Sequence, residues 1–92
     1  MIVFTYRNSV ADPAARWKDA GILDSFFDTH DEARGVVLEM RSEIISAASD
    51  DWLPVHIERV ELAPITGRQF LTLINKGIGQ FVRACEIVET ID

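Results

Sequence analysis

Between Thr29 and Pro54 the chain carries the pattern that most restricts its fold, one long helix with a marked start. Ala33, Val36, Val37, Met40, Ile44, Ala47 and Ala48 recur at helical spacing and make a single apolar stripe. Thr29-His30-Asp31-Glu32 has the threonine-to-glutamate spacing of a capping box, and acids in a first turn complement the positive end of the helix dipole. Pro54 forbids continuation. A helix with one apolar face must lie on another layer, and the flanking segments supply strands to lie on.

Four segments alternate with the period of a strand. Ile2, Phe4 and Tyr6 alternate in residues 1–8, and "ILDSFF" at 22–27 is a second candidate. In "LPVHIERVEL" at 53–62, Leu53, Val55 and Ile57 keep one phase and Val60 and Leu62 the other. That change near Glu58-Arg59 predicts a bulge or strong twist, or a strand buried on both faces. "FVRACEIVETI" at 81–91 closes the chain as a strand, with Cys85, Ile87 and Ile91 on one face and Val88 on the other. Asp12, Pro13 and Gly21 punctuate one or two helical turns before 22–27. Thr66 and Gln69 make a second capping box, with Ile65 and Phe70 as its hydrophobic staple and Gly77 as the stop. The expected order is β, short helix, β, α, β, α, β. The fold class is α+β, a two-layer, three- to four-stranded mixed sheet with two amphipathic helices on one face. Strand–helix–strand units favour some parallel pairing.

The length of 92 residues suits a single compact domain over 1–92. One cysteine excludes an internal disulfide framework and fits a reducing compartment. "MIVFTYRN" lacks the basic leader of a secretory signal, and no apolar stretch approaches bilayer length. A cytoplasmic protein with no membrane partner is expected.

Charge placement says more than its total of −6. Residues 12–51 hold ten acids against four bases, so that stretch accounts for the whole imbalance. A field of this sign repels phosphate backbones and attracts basic surfaces, which argues against direct nucleic-acid binding. On the long helix, Glu32, Glu39 and Glu43 gather along one flank, while Arg34 and Arg41 lie on the other beside Leu38 and Ile45.

Chemistry has few places to reside. His30, His56 and Cys85 have no recognised ligand spacing, so no metal and no cofactor is expected. His30 reads as the first residue of a capped helix, facing outward, and Cys85 as a small hydrophobe on the apolar side of its strand. "GIG" at 77–79 follows a helix, whereas a phosphate loop opens one.

The expectation is a small non-enzymatic interaction protein that docks its acidic surface on a basic protein surface. In its sharp form it inhibits a nucleic-acid-binding complex by occupying the basic channel, an anti-defence or anti-CRISPR-like role. The partner-binding candidates are Asp28, Asp31, Glu32, Glu39, Glu43, Asp50 and Asp51, with Leu38 and Ile45 as apolar contacts if they are exposed. The alternative is a small-ligand-binding or enzymatic α+β domain whose site is completed by oligomerisation, with Tyr6, His56, Glu58 and Arg83 as polar candidates. Monomer and homodimer are both compatible with the pattern, the homodimer forming through an unpaired edge strand or the Leu38/Ile45 flank.

Overall fold

A computed structural model describes residues 1–9, 25–46 and 52–92. Its elements are β1 (Ile2–Asn8), α1 (His30–Ser46), β2 (Val55–Leu62), α2 (Gly67–Lys76), a 3-10 turn (Ile78–Phe81) and β3 (Val82–Ile91). The expected helical turns after Pro13, residues 22–24 of the "ILDSFF" strand, and Ala47 and Ala48 lie outside the described residues.

The α+β class holds, with one difference in the sheet. It has three strands in the order β1-β2-β3, and both pairings are antiparallel. The expected parallel pairing is therefore absent among the described strands. Of the expected second strand, Phe27 forms only an isolated antiparallel bridge to Phe4. Its amide donates to the Phe4 carbonyl at 2.8 Å, and the Phe4 amide donates back at 2.9 Å.

β2 is central and pairs without a break along β1, from Val55 opposite Asn8 to Glu61 opposite Ile2. Side chains alternate across a strand, so Val55 and Ile57 face one side while Val60 and Leu62 face the other. Both sets are buried. The two phases in 53–62 thus record burial on both faces. A register shift does fall at Ile57/Glu58, but the extra residue is Val88 on β3; a second shift at Glu61/Leu62 leaves Arg83 as the extra residue.

Two clusters follow from this parity. On one face Val55, Ile57 and Ile91 pack with Ala33 and Val37 of α1, joined by Phe4, Tyr6, Phe27, Leu38, Met40 and Trp52. On the other, Val60, Leu62 and Phe81 pack with Val3, Ile65, Leu73, Ile78 and Val82. Leu73 belongs to α2, so the apolar residues of the two helices join opposite faces of the sheet and not one. α2 itself buries no residue, and Phe70, expected to staple onto Ile65, is 52% exposed.

Both helix starts use the expected capping residues. The Glu32 amide donates to Thr29 Oγ1 at 3.1 Å, and the Thr66 amide donates to Gln69 Oε1 at 2.9 Å. Gly77 ends α2 with φ 84° and ψ −179°, a conformation reserved for glycine, and its amide donates to the Leu73 carbonyl at 2.9 Å.

Thr29→Ala removes the cap of α1 and is expected to destabilise the protein by about 0.5–2 kcal/mol, towards the lower end because the bond is exposed. Chemical denaturation checks this. An unchanged midpoint would show that the cap does not hold the helix start.

Candidate functional site

Helix α1 turns about 100° per residue, which sorts its side chains into three bands. Ala33 and Val37 face the sheet and are fully buried. His30, Arg34 and Arg41 form the band beside β3. Asp31, Glu32, Gly35, Glu39 and Glu43 form the band facing solvent, and all five are exposed.

One carboxylate on β3 holds the basic band in place. Glu89 Oε1 lies 2.8 Å from His30 Nε2, and Glu89 Oε2 accepts from Arg34 Nε at 3.0 Å. His30 also stacks on Phe4, with ring centroids 5.9 Å apart. Burial pushes the Glu89 carboxyl up, but the hydrogen bonds and charges of Arg34 and His30 outweigh it and hold the group below the usual glutamate range. Two turns further on, Arg41 Nε donates to the Asp92 carbonyl oxygen at 2.8 Å. His30 was expected to face outward at the helix start; it instead fastens the start of α1 to β3.

The bases of α1 are thus drawn towards β3. Among the described residues, no basic side chain lies within ion-pair distance of Asp28, Asp31, Glu32, Glu39 or Glu43. Asp31, Glu32 and Glu39 line an open groove of about 430 Å³ whose other walls are Phe27, Gly35 and Val36. Phe27 is placed by its bridge to β1. Gly35 lies one turn after Asp31 and one turn before Glu39, and a Cβ built there meets no atom within 4 Å. The floor is apolar and the rim anionic.

The other candidates divide. Leu38 is half-buried in the α1 cluster and so is covered, whereas Ile45 is 48% exposed. Asp50 and Asp51 lie outside the described residues. Of the polar residues proposed for a ligand site, Tyr6 pairs with Ile57 and shares the α1 face, while His56 and Glu58 point to the opposite face. They do not converge. Tyr6 lines a smaller cleft of about 260 Å³ with Asn8, Met40, Ile44, Trp52 and other residues, none of them His56, Glu58 or Arg83. His56 Nδ1 lies 2.9 Å from Thr90 Oγ1.

Glu58 is 2% exposed, and its Oε2 lies 2.9 Å from Arg7 Nε and accepts from Cys85 Sγ at 3.3 Å. Cys85, expected among the buried apolar residues of its strand, is exposed. Among the described residues, no group of three or more histidine, cysteine or acidic side chains is placed to hold a metal ion. No described helix is long and apolar enough to cross a membrane.

Sequence reasoning missed the groove's floor, Phe27, Gly35 and Val36. The available signal was Gly35, a helix-weakening residue placed mid-helix between two acids spaced four residues to either side.

No family model, curated protein or solved structure matches the chain. The chemistry of the groove therefore carries the functional argument alone.

The depressed Glu89 pKa makes a pH prediction. A carboxyl held below its unfolded value stabilises the fold above the usual glutamate range, and that stabilisation is lost as pH falls through the lowered value. The difference in urea midpoint between wild type and Glu89→Gln should be largest near about pH 6 and shrink towards about pH 3. A difference that stays constant over this window would show that the carboxylate's charge does not fasten α1.

Proposed function

We propose that the protein is a non-enzymatic binding domain that holds a basic segment of a protein partner along the outer face of α1. One observation carries the reading: Asp31, Glu32 and Glu39, with no basic partner among the described residues, rim an apolar floor made by Phe27, Gly35 and Val36. A lysine or arginine side chain is suited to such a groove, because its methylene stem covers apolar surface while its charged end meets the rim. Asp28 and Glu43 extend the acidic band beyond the two ends of the groove.

Gly35 supports the same reading. A glycine in a helix interior costs roughly 0.5–1 kcal/mol relative to alanine, and here no packing contact requires it. Its missing side chain keeps the floor low enough for a partner's backbone or stem to approach the helix. The partner class is a protein with a basic surface, of which the nucleic-acid channel of a DNA- or RNA-handling complex is the strongest natural example. Occupying such a channel would inhibit the complex, in the manner of an anti-defence protein.

The test is binding of a fluorescent lysine- and arginine-rich peptide, alongside affinity purification of partners from the native host. Peptide affinity should fall as salt rises, and Asp31→Lys/Glu39→Lys should weaken it by at least about tenfold. Binding that ignores both salt and this double substitution would overturn the proposal.

Gly35→Ala separates fold from function. It should raise stability by roughly 0.5–1 kcal/mol, since the added methyl meets nothing. Gly35→Trp should fill the groove and abolish peptide binding while the far-UV spectrum stays unchanged. A tryptophan variant that binds as the wild type does would place the partner elsewhere.

A further inference from the structure

A second surface lies on the far side of the sheet from α1. β3 is an edge strand ten residues long, and among the described residues nothing pairs with its outer edge. Such an edge presents unpaired amides and carbonyls. Ile87 and Val88 on this strand are 48% and 37% exposed. On α2, Phe70, Leu71 and Ile74 are 52%, 65% and 60% exposed, the apolar side of a helix that buries no residue. A helix of ten residues is marginal in water unless its apolar side is covered.

We propose that a second copy of this chain covers this surface, forming a two-fold dimer through antiparallel pairing of β3 with β3. The register follows from parity. In an antiparallel pair directly opposed residues share a face, so within the unbulged run from Ala84 to Ile87 each residue must oppose one of its own parity. Only two self-pairings centre inside that run, Cys85 on Cys85 and Glu86 on Glu86. The second opposes two carboxylates, which is destabilising. The first sets Ala84 opposite Glu86 of the second copy and brings Ile87 of the second copy beside Arg83.

That register also accounts for α2. Ile87 lies on the same face as Cys85, Val60 and Val82, because its partner on β2 is Glu58. Leu73 of α2 packs in the cluster of Val60, Leu62 and Val82 on this face, at the end of the sheet where Leu62 pairs with Val82. The pairing brings Ile87 of the second copy to the same end and face, where the uncovered side of α2 can close over it. The exposed apolar side chains of α2 and β3 supply roughly half of the ~800 Å² per partner that a standard interface buries, and the paired strand edges add to it. The dimer does not depend on the acidic groove, so either proposal can fail alone.

Cys85 reports the register. Opposed residues in an antiparallel pair have Cβ atoms about 4.5–5.5 Å apart, within reach of a short bis-maleimide. Light scattering on the full chain at rising micromolar concentration should approach the dimer mass. The cross-linker should couple two chains through Cys85 in the wild type and not in Cys85→Ser, which should still dimerise. Ile87→Lys and Leu71→Glu should each weaken dimerisation by at least about tenfold with an unchanged far-UV spectrum. Should Ile87→Lys lose its fold, the cross-link and Leu71→Glu decide. A monomer mass at every concentration, or a dimer that Cys85 does not cross-link, would overturn the proposal.

Discussion

The architecture depends on β2 being buried on both faces. Val55 and Ile57 anchor α1 on one side, and Val60 and Leu62 hold the root of α2 on the other. A strand that serves two clusters cannot slip by one residue without exchanging both apolar sets at once, so its register is strongly specified. The unbroken seven-residue pairing with β1 agrees with that constraint. The irregularities are displaced to β3, the strand with least to bury. Its extra residues Val88 and Arg83 let the exposed edge follow the twist without disturbing the centre.

Charge is then sorted by a single residue of that edge strand. Glu89 faces α1 because Ile57, its partner in the sheet, does. It collects His30 and Arg34 from the helix, and the remaining carboxylates of α1 are exposed, with no counter-charge among the described residues. Glu39 and Glu43, one turn apart, repel by a few tenths of a kcal/mol. Gly35 between Asp31 and Glu39 leaves open space at the helix surface. The helix therefore gives up local stability along its outer face in three ways, through like charges, a glycine and a missing ion pair. None of these is needed by the cluster beneath it.

How much of this was legible in the sequence depends on the range of the interaction. The start of α1 was, because a capping box is local: Thr29 and Glu32 meet within one turn. So were the three strands with strong alternation, and the acidic band, since helical spacing alone groups its members. Long-range pairing was not. His30 reads as an outward-facing first-turn residue until Glu89, 59 positions away, is placed beside it. Cys85 reads as buried because it shares a phase with Ile87 and Ile91. The bulge at Val88 breaks that phase, turning Ile91 into the α1 cluster and leaving Cys85 and Ile87 on the opposite, exposed side. One inserted residue reverses the face of everything on one side of it, and nothing in a strand's composition marks where it falls. Parallel pairing was expected from the strand–helix–strand order, yet antiparallel strands joined through a helix bury the same residues. Alternation alone does not distinguish them.

The two proposed surfaces have a geometric relation that follows from symmetry. A two-fold axis through the centre of a β3–β3 pairing runs perpendicular to the joined sheet, so each copy keeps the same face on the same side. Both α1 helices then lie on one side of a six-stranded sheet, and both acidic grooves open in that direction. The α2 helices close the interface on the other side, leaving the grooves clear of it. Two such sites held at fixed spacing would act on an extended basic surface through effective concentration, gaining about 10²–10⁴ in affinity without any new contact. A modest net charge of −6 per chain is a weak attractor when dispersed. Gathered on one helix face and presented twice on the same side of the joined sheet, Asp31, Glu32, Glu39 and Glu43 would discriminate an extended run of cations from a single one.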